Sequence, residues 1–141
     1  MPKLRVSNNQ NELDVSVIHE FLSKQSTWAR GISQDLVERS IKNSLCFGGY
    51  VDKQQVAFAR VITDKATFAN LVDVFVLPEF RGNDFSKLLV ENVISHQDLQ
   101  GLRRFTLVTT AAHSLYGQFG FTAPSKPESM MERFYPDIYK Q

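Results

Sequence analysis

The run Val72–Leu77, VDVFVL, is nearly continuous in apolar side chains. A strand of that kind is covered on both faces, so it demands a sheet held between helical layers. Helical patterns lie on either side of it in the chain. Glu12–Lys24 places Leu13, Val17, Ile18, Phe21 and Leu22 at helical spacing. Ser33 then caps a shorter helix through Leu36, Val37, Ser40 and Ile41, ending near Asn43. Downstream, Phe85, Leu88, Leu89, Asn92 and Val93 line one side of a third helix, and AAHSLYGQF reads as a short fourth.

The remaining segments alternate with period two. A short strand around Leu4–Val6 opens the chain. LCFGGYV, a polar turn at Asp52–Gln54 and QVAFARVITD form a hairpin, and the next strand spans about Thr67 to Leu77. RRFTLVTT supplies another strand, and GFT with ESMMERFY reads as the closing strands. Antiparallel pairs early and a strand–helix–strand crossover later predict an α+β fold of three α/β layers, a mixed central sheet with helices on both faces.

A length of 141 residues suits a single domain, 1–141. With 16 Lys+Arg against 15 Asp+Glu there is no basic excess for a nucleic-acid backbone. No run approaches the roughly 18 apolar residues of a membrane span, so no membrane partner is expected. MPKLRVSNNQ lacks the apolar core of a secretory signal, and Cys46, the only cysteine, has no internal partner. Both features point to the cytoplasm. His19, His96 and His113 are scattered without metal-ligand spacing, so no metal is expected.

The chemistry concentrates in PEFRGNDFSKLLVENVI, Pro78–Ile94, a glycine-bearing turn that feeds directly into a helix. A helix N-terminus carries unpaired N–H groups and partial positive charge, which suits a pyrophosphate. VDVFVLPEFRGNDFSKLLVE resembles the cofactor-binding motif of the GNAT N-acetyltransferase superfamily: a strand ending near a Pro, an Arg-x-x-Gly-x-Gly/Ala turn, then a helix. AAHSLYGQFGF resembles that superfamily's Ala-x-x-Leu-Tyr-x-x-x-Gly-Phe segment, in the expected order. WARG, NSLCFGGY and PDIYK are similar to a compact bacterial branch of it.

The resemblance implies an acyl-CoA N-acyltransferase fold and a transferase that moves an acetyl group from acetyl-CoA to a primary amine by direct attack. It implies that the backbone of Val74, Phe75 and Val76 lines the pantetheine arm and thioester. Arg81, Gly82, Asn83, Asp84, Phe85, Ser86 and Lys87 would surround the pyrophosphate. An N–H near Val76 would stabilise the oxyanion, and Tyr116 would protonate the departing thiolate. The acceptor would be a small-molecule or peptide amine, and the family admits a homodimer.

Asp84 stands where the family prefers Gly, and Ser86 where Gly or Ala is usual. A carboxylate about 5 Å from a phosphate costs roughly 3 kcal/mol at an effective dielectric of 20, and below about 1 kcal/mol in bulk-like solvent. Asn83 and Asp84 are also N-cap residue types, and a capping side chain competes with an anion for the same N–H groups. The alternative reading is therefore a degenerate GNAT-fold binding protein with weak or no CoA binding. Asp73, inside an apolar strand, and Asp64, at a strand end, are the two candidate bases. Trp28 and Arg30 lie where the family covers the acceptor site, Trp28 as a wall and Arg30 as a carboxylate clamp. Each has a plainer reading: Trp28 tucked on the core, Arg30 in solvent, Asp73 at a groove or edge, and Tyr116 a packed aromatic. His113 reads as a surface or capping residue, and Cys46 as a small buried apolar one.

Overall fold

The computed structural model describes residues 2–140. Five strands make one sheet in chain order: β1 (Arg5–Ser7), β2 (Leu45–Val51), β3 (Gln54–Thr63), β4 (Phe68–Val76) and β5 (Arg104–Leu107). β1 to β4 pair antiparallel and β4–β5 is parallel, so the sheet is mixed as the pattern predicts. The crossover between β4 and β5 carries α3 (Phe85–Ser95).

One correction concerns the first helix, expected as a single run over Glu12–Lys24. It is a 3-10 turn (Gln10–Glu12), then α1 (Val15–Glu20), then a wider π turn (Phe21–Gln25). Leu13 and Asp14 are extended, and the Asp14 carboxylate accepts from the Val17 N–H at 3.2 Å, so α1 starts afresh. α2 (Gln34–Lys42) begins under Ser33 Oγ, which accepts from the Leu36 N–H as expected.

Each face of the sheet has its own core. On one, Leu45, Phe47, Val61, Ala69, Leu71 and Val76 meet Phe85, Leu89, Val90 and Val93 of α3. On the other, Cys46, Phe58 and Phe75 meet Ile18, Phe21 and Leu22 beneath α1, with Val37 and Ile41 of α2. Phe75 stacks on Phe21 with centroids 4.1 Å apart. Burying side chains of this size contributes about 1.5–3 kcal/mol apiece, so both helical layers are firmly held.

Two irregularities set the course of β4 toward its C-terminal end. Between the pairs Phe58↔Phe75 and Arg60↔Val72, β3 has one residue and β4 has two, Asp73 and Val74. This bulge, with Asp73 at φ 54°, switches which face each later side chain occupies. Ala69, Leu71, Val74 and Val76 therefore share one face, and Phe75 points to the other. Pairing of β4 with β5 also stops at Leu71↔Leu107, although β4 continues to Val76. The last residues of β4 thus border a gap instead of a neighbour.

The expected closing strands are not there. Beyond α4 (His113–Gly117), GFT and ESMMERFY form no ladder, and the regular structure of that stretch is a 3-10 turn at Pro127–Ser129. Pro124 and Pro127 lack the N–H that a ladder needs, and no residue of the stretch pairs with β5.

Candidate functional site

The bond from the Leu77 N–H to Val56 O, 2.8 Å long, faces β3. Strand alternation then turns the Val76 N–H and C=O the other way, toward the gap left by β5. Beside that gap lies a slot of about 270 Å³ between the α3 entry and α4. Val76, Arg81, Gly82, Asp84, Phe85, Ser86 and Lys87 line it on one side, and Leu115 of α4 with Gln118 just after it on the other. Arg81 Nε donates to Val76 O at 3.0 Å, which holds the guanidinium at the slot's edge.

The helix entry is open. Leu88 is the first residue of α3 whose N–H finds a partner, Asp84 O at 3.1 Å. Among the described residues no acceptor is bonded to the N–H groups of residues 82–87. The expected capping by Asn83 or Asp84 does not occur. Asn83 Nδ2 donates instead, to Phe80 O at 3.1 Å. Asp84 sits at φ 60°, outside the extended backbone that a capping side chain requires, and makes no cap bond. Gly82, at φ 83°, completes the turn in the left-handed region. Arg81 and Lys87 add positive charge to the helix N-terminus, while the exposed Asp84 carboxylate opposes it under solvent screening. Coenzyme A fits such a cradle: a diphosphate would take the free N–H groups of 82–87, and a pantetheine arm the gap beside Val74 and Val76.

The expected backbone contact from Phe75 does not face the gap: its ring is buried in the opposite core, and strand alternation turns its N–H and C=O toward β3. Tyr116 is 8% exposed, edge-on to Phe121 at 6.1 Å, and burial pushes its phenol above the ordinary value of 10. Leu115 of α4 and Gln118 just after the helix line the slot, Tyr116 itself does not, and His113 is exposed.

Across the sheet a second pocket, of about 390 Å³, opens over the bulge. Asp73 organises it. Its Oδ1 accepts from Trp28 Nε1 at 2.9 Å and its Oδ2 from Arg60 Nε at 2.9 Å. Arg60 Nη1 in turn donates to Ser44 Oγ at 3.0 Å. Ile32 and Leu36 supply apolar wall, Arg39 a second guanidinium, and Tyr139 closes one side. Trp28, half exposed, is therefore a pocket wall. Tyr139 reaches this place because Gly31 has no side chain: a Cβ there would lie 2.7 Å from Tyr139 O, and φ is 88°.

Two expectations fall away. Arg30 is exposed and does not line the pocket. Asp64 is a turn staple: it accepts from the N–H groups of Ala66, Thr67 and Phe68 and, at 2.6 Å, from the Thr67 hydroxyl. Those donors, the hydroxyl foremost, hold its carboxyl well below the usual range, the opposite of what a base needs. It also sits at the far end of β4, about 25 Å of strand from Val76.

Arg39, Arg60, Ser44 and Tyr139 escaped the sequence reading. Arg60 was detectable in principle: it and Asp73 are lone charges in adjacent apolar strands, a pattern that calls for a cross-strand pair. Cys46 is 1% exposed, and desolvation pushes its thiol up to about 12. Among the described residues, no group of three His, Cys, Asp or Glu side chains could hold a metal ion, and no helix is long and apolar enough to cross a membrane.

Residues 42–123 match the acetyltransferase (GNAT) domain family. A Gibberella zeae protein provisionally named an acetyltransferase is 31% identical over 135 residues, covering 80% of this chain and 75% of that protein. A Xanthomonas campestris pv. campestris crystal structure, provisionally assigned to the GNAT acetyltransferases, is 55% identical with a TM-score of 0.97, covering 100% of this chain and 99% of the other. A Clostridium acetobutylicum protein, named by prediction as an acetyltransferase and solved with acetyl-CoA, shares the fold. Its TM-score is 0.66 at 15% identity, over 95% of this chain and 96% of the other.

Proposed function

We propose that this chain, which belongs to the acetyltransferase (GNAT) family, moves an acetyl group from acetyl-CoA to a primary amine of a small molecule or peptide. The observation that carries the reading is the set of unbonded N–H groups at residues 82–87, beside the gap that β4 and β5 leave open. Bound there, acetyl-CoA supplies an activated acetyl thioester. The N–H groups of 82–87 hold the diphosphate, with Arg81 and Lys87 beside them. The Val76 N–H, turned into the gap, is placed to stabilise negative charge on a carbonyl oxygen. Tyr116 acts as the acid: a phenol is protonated at neutral pH and can give its proton to the departing thiolate, and its α4 neighbour Leu115 lines the slot. Cys46 is protonated and enclosed, which favours direct attack by the amine over an acyl-cysteine route.

The acceptor takes the pocket over the bulge. Of the two carboxylates considered as bases, Asp73 alone lines it. Each Asp73 oxygen accepts one hydrogen bond and keeps a lone pair for the amine's proton, directly or through water. Arg39 and Arg60 against Asp73 are two cations against one anion, an excess of one positive charge. An amine that also carries an anionic group suits this wall best. A free, buried thiol suits a reducing compartment, and we place the reaction in the cytoplasm.

Calorimetric titration with acetyl-CoA tests the donor half, using the native protein and Asp84→Gly. The native protein should bind, and the variant more tightly, by up to about two orders of magnitude if the charge is poorly screened. No heat from the native protein with a gain in Asp84→Gly would favour a non-catalytic binding protein instead. A thiol-release assay comparing carboxylated amines with simple alkylamines tests the acceptor half.

A further inference from the structure

The polar groups around the pocket over the bulge are not equally engaged. Ser40 Oγ donates to Val37 O at 2.7 Å, Asn43 Nδ2 to Arg39 O at 2.9 Å and Ser44 Oγ to Ser40 O at 2.7 Å, so these three side chains are tied to carbonyls of α2. Trp28 Nε1 and Arg60 Nε are tied to Asp73. Arg39 is the exception. It lies in the last turn of α2, and among the described residues its guanidinium has neither an ion-pair partner nor a hydrogen bond. The helix dipole does not account for where it points, because Lys42 stands in the same turn and stays outside the pocket.

Arg60 and Asp73 neutralise one another at 2.9 Å, so the surplus positive charge over the bulge belongs to Arg39. An amine attacks a thioester in its uncharged form. A carboxylate elsewhere on that acceptor gives it a single negative charge, which one free guanidinium matches in number and, through two parallel N–H···O bonds, in shape. A phosphate group, at about −1.5 to −2 near neutral pH, would exceed it. A plain alkylamine arrives as a cation at a wall already in positive excess. The remaining lining is largely apolar: Ile32 and Leu36 on one side, Ile62 of β3, 44% exposed, on the other. In a pocket of about 390 Å³ that lining suits an acceptor with a large apolar side chain better than a small one.

We infer that the acceptor is an amino acid with a bulky apolar side chain, its carboxylate held by Arg39 and its amine at Asp73, and that Arg39 separates such acceptors from simple amines. The inference rests on the reading of this pocket as the acceptor side.

A thiol-release assay and a binding measurement test it separately. The kcat/KM for L-phenylalanine should exceed that for phenethylamine, which lacks only the carboxylate, by about tenfold or more, and Arg39→Met should bring the ratio near unity. Arg39→Lys, which keeps the charge without the planar fork, should retain part of the preference. L-phenylalanine should also outrun glycine. Apart from turnover, calorimetry should show 3-phenylpropionate, a carboxylate with no amine to acetylate, binding the native protein and about tenfold more weakly to Arg39→Met, with circular dichroism reporting an intact fold. A native ratio near unity, or 3-phenylpropionate binding that is absent or indifferent to Arg39, would overturn the inference. Phenyl phosphate binding more tightly than 3-phenylpropionate would overturn the carboxylate assignment, and glycine equal to L-phenylalanine the apolar one. Binding of 3-phenylpropionate that depends on Arg39, without acetyl transfer to any amine, would uphold the carboxylate site and remove the transfer reading.

Discussion

Arg60 Nε donates to Asp73 Oδ2 at 2.9 Å, across the bulge where β4 carries one more residue than β3. Their side chains are 16% and 11% exposed, so the pair works with little help from solvent. Asp73→Asn keeps the shape and an acceptor for Trp28 but leaves the Arg60 cation without its counter-charge. Urea unfolding should show a loss of about 3 kcal/mol, and Arg60→Met in the same chain should recover part of it. In transfer assays kcat should fall, because the amide cannot take the amine's proton, and the acceptor KM should rise, with acetyl-CoA affinity nearly unchanged. A KM that does not move would detach Asp73 from the acceptor pocket.

Tyr116→Phe retains the ring packed on Phe121 and removes only the hydroxyl. The expected result is a kcat roughly a hundredfold lower with little change in acetyl-CoA affinity. The pH dependence has a definite sign. An acid works while protonated, and burial raises this phenol above its ordinary value of 10, so loss of rate from its ionisation belongs above pH 10. Unaltered turnover in the variant would strip Tyr116 of the role.

Asp64 affects stability, not rate. Its folded pKa is depressed, so its contribution is complete above the unfolded value near 3.8 and is lost as pH falls below that toward the folded value. Asp64→Asn should therefore lower the melting temperature at neutral pH, and the gap from the native protein should narrow once the pH drops under about 4. Acetyl transfer at neutral pH should be unchanged. A constant gap across the acid range would show that the carboxylate's charge is not what holds the turn.

Cys46 should be inert. Its thiol is buried between the Ile41 and Ser44 carbonyls, 3.8 and 4.0 Å from Sγ, and burial pushes it up to about 12. Thiol reagents should label it only on unfolding, and Cys46→Ala should transfer acetyl groups at close to the native rate. A large loss of rate in a folded Cys46→Ala would instead call for a covalent route.

The turn and helix entry after β4 were legible from sequence because they are made of local chain geometry. A strand ending, a glycine turn and a helix start follow from residues within one short stretch, and they carry the main-chain donors with them. Capping there is not legible from residue type, which does not set the backbone angle: at φ 60° Asp84 cannot act as the cap its side chain suggests. Of the residues read as acceptor or base candidates, Trp28 and Asp73 line the pocket over the bulge and Arg30 does not, while Arg60 and Arg39, which the sequence did not single out, do. Proximity to Trp28 in sequence is no guide to which guanidinium reaches a carboxylate 13 residues from Arg60 and 43 from Arg30 in the chain.

Apolar spacing and turn residues locate β1 to β5 and the helices between them, though not the stretch after α4, where the two expected strands are absent, and they place a strand with both faces covered directly ahead of a glycine turn and a helix. These depend on near neighbours along the chain, whose spacing is written in the residues themselves. Folding in three dimensions settled which charges meet over the bulge, how far β4 and β5 part, and that the segment after Phe121 stays out of the sheet. Each of those is a contact between distant residues, governed by burial and by which strand edge is within reach.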